Sequence, residues 1–104
     1  MDFYYWVEMW VDNEGFDETY TVALDNTATY LVETYLTKKD GGDYAHAYIA
    51  EVCTGEGDEI LCGLNDEGSD STPSIQNLTG AVSVTVGLRT TGGTHRSAAA
   101  IYRL

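Results

Sequence analysis

The sequence predicts an all-β protein, an antiparallel β-sandwich or jelly roll of about seven or eight short strands. Three observations predict it. Apolar and polar residues alternate with period two, the alternating segments recur at intervals of about ten residues, and polar or glycine-containing turns separate them. Helical periods with caps are absent. At 104 residues, the chain is expected to form one β-sandwich domain, residues 1–104.

The segment Phe3–Asp12 shows the clearest pattern, because its two faces differ. The odd positions form an unbroken apolar row, Phe3, Tyr5, Val7, Met9 and Val11, and the even positions interleave rings with carboxylates, Tyr4, Trp6, Glu8, Trp10 and Asp12. We expect the odd row to form core. At about 3.3 Å per residue, Trp6 and Trp10 stand roughly 13 Å apart on the other side. That side must be covered by a partner or bind a ligand.

Further alternating segments follow along the chain, each bounded by a turn signal. They are Thr19–Leu24, Ala28–Thr37, Tyr44–Cys53, Ile60–Leu64, Val82–Leu88 and Ser97–Leu104. The stretch Asn65–Pro73 is rich in Gly, Ser and Asp, and this composition predicts a mobile loop.

The last two segments are expected to pair as a closing hairpin. A two-residue loop at Gly92-Gly93 would place Arg89 opposite Arg96, and opposed like charges destabilise a sheet. An odd-length loop instead pairs Leu88 with Ala98, which opposes apolar residues. We therefore expect an irregular turn over Thr91–His95. In this register Tyr102 and Leu104 point inside, and Arg89 and Arg103 point outside.

The charge balance excludes several classes of partner. Seventeen acids against five Lys and Arg give a formal net charge of −12, which disfavours binding to nucleic acid or anionic membranes. All the acids lie between Asp2 and Asp70, whereas the last part of the chain carries Arg89, Arg96 and Arg103. This asymmetry indicates either solubility alone or assembly of acidic against basic surfaces. We expect no membrane span and no signal peptide.

Cys53 and Cys62 flank a short loop and are a candidate disulfide. An even-length turn would place them directly opposite each other on adjacent strands, a separation compatible with a disulfide. Closing so short a loop contributes about 2.7 kcal/mol in the chain-entropy model. The alternative is two reduced core thiols. A disulfide without a signal peptide indicates a protein exposed outside cells by another route, such as release at lysis.

Patterns for metals, cofactors and catalysis are weak, and we expect none of the three. The acid-rich stretches Asp12–Glu18, Asp40–Asp43 and Asn65–Asp70 do not fit the spacing of a calcium-binding loop. His46 alternates with tyrosines, which favours an outer sheet face. His95 has no nucleophile elbow near it. The protein is therefore predicted not to be an enzyme.

The segment Val82–Leu104, VSVTVGLRTTGGTHRSAAAIYRL, resembles the closing hairpins of small β-sandwich modules in tailed-phage virions. Tyr30-Leu31-Val32, which follows a polar run, is similar. The resemblance implies a decoration protein of a capsid, or a tail-fibre or tail-tip domain, at the virion surface and commonly trimeric. It carries over no binding residues.

The leading hypothesis is a non-enzymatic structural module of a virus particle that assembles with itself and with a larger structure. Tyr4, Trp6, Glu8 and Trp10 would supply the contact surface, and Arg89, Arg96 and Arg103 would set orientation against acidic loops. One alternative is a carbohydrate-binding module that recognises surface glycans through Trp6 and Trp10. Another is an acidic mimic of nucleic acid that blocks a basic partner.

Overall fold

The computed structural model describes residues 2–41, 44–67 and 74–104, and for residues 64–67 it describes the backbone only. Over these residues the chain forms eight strands and no helix, so this part of the chain has no helix long and apolar enough to cross a membrane. The strands are β1 (Asp2–Asp12), β2 (Phe16–Ala23), β3 (Thr29–Asp40), β4 (Ala45–Thr54), β5 (Leu61–Glu67), β6 (Ser74–Thr79), β7 (Ala81–Thr90) and β8 (Thr94–Arg103).

The strands form two antiparallel four-stranded sheets that pack face to face. The first sheet has the order β1-β8-β3-β6 and the second has the order β2-β7-β4-β5. The first strand pairs with the last, the second with the seventh, the third with the sixth and the fourth with the fifth. A long hairpin rolled over on itself produces this order, which is that of a jelly roll. The predicted fold class and number of strands are confirmed.

The core lies between the two sheets and is built largely from β-branched side chains, which favour strands. The first sheet contributes Val32 and Ile101, and the second contributes Ile49, Val84 and Val86, all of them fully buried. Burying each such side chain contributes about 1.5–3 kcal/mol. Each sheet therefore has one face in the core and one face that points outward.

The expectation of an unbroken inward row on β1 is wrong at its N-terminal end. Val7 and Val11 are buried and Met9 packs against the core, but Phe3 and Tyr5 are exposed. A β-bulge between Phe3 and Tyr5 inserts one extra residue against β8, so Phe3 points to the outward side. Tyr5 stays on the side of Val7, but it lies on the edge strand, where its hydroxyl is hydrogen-bonded to that of Tyr20 on β2 and its ring remains exposed.

Tyr4 is the extra residue of that bulge, and its side chain turns towards the core instead of standing beside Trp6. Its ring meets the fully buried ring of Tyr30 edge to face, with 5.0 Å between centroids. The Tyr4 hydroxyl donates a hydrogen bond to the carbonyl oxygen of Ala23 at 3.0 Å. Tyr4 therefore leaves the predicted contact surface and links the two sheets.

The predicted closing hairpin is also wrong, because β7 and β8 belong to different sheets. Leu88 pairs with Glu18 and Ala47, not with Ala98. Tyr102 is only half-buried and Leu104 is exposed, although both were expected inside. Arg89 is partly exposed on the outward side, as predicted. Arg103 is exposed, but it pairs with the inward Tyr30 and alternates with the outward Tyr102, so the predicted sides of Tyr102 and Arg103 are reversed.

Two features of this connection explain the difference. Gly92 and Gly93 both have positive φ, and a Cβ on Gly93 would lie only 2.6 Å from the carbonyl oxygen of Gly41. The glycines therefore allow a tight crossing from one sheet to the other instead of a hairpin turn. In addition, β8 carries the small residues Ala98, Ala99 and Ala100. In the first sheet this strand lies between β1 and β3, whose bulky side chains fill the space beside the alanines.

The strand β6 was not predicted, because its pattern is inverted. Its inward positions include Ser74, which is buried, whereas Ile75 points outward and is exposed. The expected loop Asn65–Pro73 begins in fact within β5, which runs to Glu67, and the rest of that loop lies outside the described residues.

Candidate interaction surface

The outward side of the first sheet carries most of the side chains that the sequence singled out, and we call it the outer face. Val7, Ala99 and Val32 point into the core, so the residues that alternate with them point away from it. Strand pairing aligns the outward residues of β1, β8 and β3 in five rows: Phe3–Tyr102–Leu31, Trp6–Ala100–Glu33, Glu8–Ala98–Tyr35, Trp10–Arg96–Lys38 and Asp12–Thr94–Asp40.

The middle of the outer face is an arch of two rings over two alanines. Trp6 on β1 and Tyr35 on β3 meet edge to face across the intervening strand, with 6.4 Å between ring centroids. Beneath them Ala98 and Ala100 are only 2% and 1% exposed, although their side chains point outward. The small side chains of β8 let the large neighbours lean over it. The sheet thus presents aromatic surface where its central strand would otherwise present methyl groups.

Large apolar side chains on this face remain in contact with water. The most exposed are Trp10 at 64%, Phe3 at 61%, Ile75 at 59% and Trp6 at 41%. Soluble monomers rarely expose contiguous apolar patches above a few hundred Å², and patches of that kind mark binding sites. A single aromatic side chain can bury 150–250 Å². These residues therefore make the outer face the best candidate for a binding surface.

The charges on the outer face are arranged in bands. Glu8 and Glu33 lie near the aromatic arch, Arg96 and Lys38 share the next row, and Asp12 and Asp40 end the face. The Trp6 indole donates a hydrogen bond to a carboxylate oxygen of Glu8 at 2.9 Å.

Acidic groups also surround the hydroxyl of Tyr35. Burial raises the pKa of Tyr35, and the nearby Tyr102 hydroxyl and the carboxylates of Glu33 and Glu8 raise it further. The carboxylates of Glu8 and Glu33 lie near the centre of the face, so this part of the face favours a cationic group from a partner.

The three arginines that were predicted to set the orientation of the assembly have different surroundings. Arg103 forms an ion pair with Asp25 at 3.4 Å, and Arg89 forms one with Asp17 at 3.4 Å. Within the described part of the chain, the side chains of Arg96, Lys38 and Glu33 make no hydrogen bond or ion pair. Of the predicted contact residues, the structure therefore brings together Trp6, Glu8, Trp10 and Arg96, and separates Tyr4, Arg89 and Arg103 from them.

Arg89 belongs to a second aromatic cluster on the outward side of the other sheet. There the rings of Tyr44, His46 and Tyr48 stack along β4, with centroid distances of 5.7 and 5.0 Å. The guanidinium of Arg89 lies 4.7 Å from the centre of the Tyr48 ring, and the Tyr48 hydroxyl donates to Asp17 at 3.0 Å. The predicted outward position of His46 is confirmed, but His46 and Tyr48 are buried at 5% and 3% exposure. This cluster is internally packed and offers less free surface than the outer face.

Cys53 and Cys62 lie directly opposite each other on β4 and β5 and form a disulfide. Glu51 is close to both sulfur atoms, and the three side chains resemble a set of metal ligands. The sulfur atoms are bonded to each other, however, and a metal ligand must be a free thiolate. The cluster therefore acts as a covalent link in the hairpin formed by β4 and β5.

His95 was predicted at the end of a turn, but the structure places it in β8 and buries it completely. Its Nε2 atom is hydrogen-bonded to the carbonyl oxygen of Gly92. A carbonyl only accepts, so Nε2 carries the proton and Nδ1 has no partner. Among the described residues, no nucleophile is hydrogen-bonded to His95.

Sequence reasoning missed Tyr35 and Lys38 as members of the surface. Tyr35 lies two residues after Glu33 in the alternating segment Ala28–Thr37, so the period-two pattern contains the signal for Tyr35. Lys38 follows a bulge between Leu36 and Lys38, which shifts the alternation, and no sequence pattern reveals that shift.

No protein-family model matches this chain, and no curated protein matches it in sequence. The geometry and chemistry of the outer face are therefore the basis for proposing a function.

Proposed function

We propose that this protein is a non-enzymatic structural module of a virus particle, a capsid-decoration or tail component that assembles through its outer face. One observation carries the proposal: Trp6, Trp10 and Phe3 are exposed together on a rigid sheet of the folded chain. Burying such side chains on association supplies the apolar part of the affinity. The proposed location is the virion surface, outside cells.

Two further features agree with a structural role. The eight-stranded jelly roll is common in viral capsid proteins, although a fold alone does not establish a function. The Cys53–Cys62 disulfide suits a protein that works in an oxidising environment.

The test of assembly is the mass of the protein in solution. The wild-type chain is expected to form an oligomer at high protein concentration, and the double variant Trp6→Ala with Trp10→Ala is expected to remain a folded monomer in light scattering. Ile60→Ala with Leu61→Ala is the matched control, because these exposed side chains lie outside the outer face. This control should assemble like the wild type. A Trp double variant that still assembles normally removes the outer face from this role.

A second candidate function is recognition of a surface glycan. It is favoured by the position of Glu8 and Glu33 beside Trp6, because sugar rings stack on aromatic faces while carboxylates accept hydrogen bonds from hydroxyl groups. Titration with glycans should then change the tryptophan fluorescence of the assembled protein. The change should disappear in Trp10→Ala. Absence of any response across a broad set of glycans would leave assembly as the function of this face.

A further inference from the structure

We infer that the partner of the outer face is a second copy of the same chain, packed face to face about a two-fold axis that passes over Ala98. In this pairing Lys38 and Arg96 of each copy lie against Glu33 of the other. The inference rests on the proposed function, because it names the partner of the same surface.

The strand at the centre of the face indicates where the axis lies. The outward residues of β8 are Thr94, Arg96, Ala98, Ala100 and Tyr102, and Ala98 is the middle one. A two-fold axis over Ala98 therefore brings all five rows of the face into contact. An isologous interface of this kind uses the same surface patch on both copies.

The charges then decide the direction of the axis. An axis across the strands places the row of Trp10, Arg96 and Lys38 against the row of Trp6, Ala100 and Glu33. Lys38 then faces Glu33 of the second copy, and Trp10 faces Trp6. Arg96 lies over the small Ala100, beside the same Glu33 and the face of Trp6, where both a charge pair and a cation–π contact are available.

An axis along the strands gives the opposite result. Each row then faces the same row of the second copy. Arg96 therefore lies against Arg96, and Lys38 no longer faces Glu33. Like charges placed opposite each other across an interface oppose association. The axis across the strands is therefore favoured. Its unfavourable pairs are Glu8 against Glu8, where the hydrogen bond from Trp6 already holds the carboxylate, and Phe3 against Asp12 and Leu31 against Asp40 at the ends of the face.

The unpaired state of these charges within one chain supports the assignment. Among the described residues, Arg89 and Arg103 have acidic partners in their own chain, whereas Arg96, Lys38 and Glu33 have none. Sheets pack about 10 Å apart, a distance that a lysine and a glutamate span together. Association thus supplies partners for charges that have none among the described residues of the single chain.

The size of the face is sufficient for a specific contact. Four strands spaced about 4.8 Å apart and five rows about 6.6 Å apart cover on the order of 500 Å² per copy. The pair then buries about 1,000 Å², the lower limit for a specific interface. The contact is therefore expected to be reversible and to depend on protein concentration.

Charge reversal tests the pairing directly. Sedimentation equilibrium is measured for the wild type, Lys38→Glu, Glu33→Lys and an equimolar mixture of the two variants, at moderate ionic strength to screen the net charge of −12. Each variant alone opposes like charges at both symmetric sites, so its dissociation constant should rise roughly tenfold or more. The mixture restores both opposite-charge pairs and should associate like the wild type.

Lys39→Glu is the matched control, because Lys39 carries the same charge but pairs in the row of the buried His95, which faces the other side of the sheet. It should leave association unchanged. Circular dichroism and the unfolding midpoint verify that every variant is folded. If the wild type associates but the reversals do not weaken it, or the mixture does not recover, the pairing is wrong while assembly stands. A wild-type monomer at all concentrations overturns both.

Discussion

The phenol ring of Tyr48 lies over Gly87 on the neighbouring strand, so closely that a Cβ on Gly87 would be 2.6 Å from the ring carbon Cζ. The missing side chain of Gly87 lets Tyr48 cross β7 and reach Asp17 on β2. Arg89 covers the ring from the outside. Three strands of the second sheet are thereby connected by one side chain.

Gly87→Ala should destabilise the fold by about 1–3 kcal/mol, because the added methyl group displaces the ring of Tyr48. The unfolding free energy from urea titration measures the effect. Gly63→Ala is the control, since a Cβ there meets no atom within 4 Å, and it should change stability little. If both variants unfold at the same urea concentration, the close contact between Gly87 and Tyr48 does not contribute to the free energy of unfolding.

Stability should fall at alkaline pH through Tyr48. Burial, followed by the hydrogen bond and charge of Asp17, raises the pKa of Tyr48, although Arg89 partly opposes the rise. The unfolded chain ionises near the ordinary tyrosine value of about 10 while the folded chain keeps its proton, so the stabilisation is complete below about pH 10 and is lost as pH rises further. The unfolding free energy should decline less steeply in Tyr48→Phe. Parallel declines in both proteins would contradict this assignment.

Reduction of the Cys53–Cys62 disulfide should lower the unfolding free energy by about 2.7 kcal/mol, since the bond restricts the unfolded chain. Urea titrations with and without a reductant measure the difference. The double variant Cys53→Ser with Cys62→Ser should resemble the reduced protein and should not respond to the reductant. A wild-type transition that does not move on reduction would show that the link contributes nothing to stability.

Salt should stabilise the monomer. With a net charge of −12, repulsion among carboxylates opposes the compact state, and the Debye length shrinks from about 30 Å at 0.01 M salt to about 3 Å at 1 M. The midpoint of thermal unfolding, measured at low protein concentration to avoid assembly, should therefore rise with salt. Glu56→Gln with Asp58→Asn should weaken the dependence. A falling midpoint would mean that the ion pairs of Arg89 and Arg103 outweigh the repulsion.

Much of the fold could be predicted because strand patterns are local. The alternation in Val82–Leu88 and the position of Cys53 relative to Cys62 depend on period two and a short turn, and the structure agrees with both. The pairing of β7 with β8 could not be predicted this way. Adjacent strands in a sequence form a hairpin by default, and only the packing of two sheets separates these two.

The residues of the outer face likewise could be predicted where they depend on spacing within one strand, and could not be predicted where they depend on contacts between strands. Trp6 and Trp10 were assigned to one side of a strand because four residues separate them. Tyr4 was assigned with them, and the bulge turned its ring away from them towards Tyr30. Arg89, Arg96 and Arg103 looked alike in the sequence, and their different partners became visible only when distant strands met.

The sequence by itself determined that this protein is built of alternating strands, that its opening strand is apolar on both sides and that its surface is strongly acidic. These properties depend on residue type and on spacing within one segment. Tertiary structure alone decided which strands are neighbours, where a bulge reverses the alternation and which charges find a partner. Those outcomes depend on contacts between residues far apart in the chain, and the energy of such contacts is set by the packing of all eight strands at once.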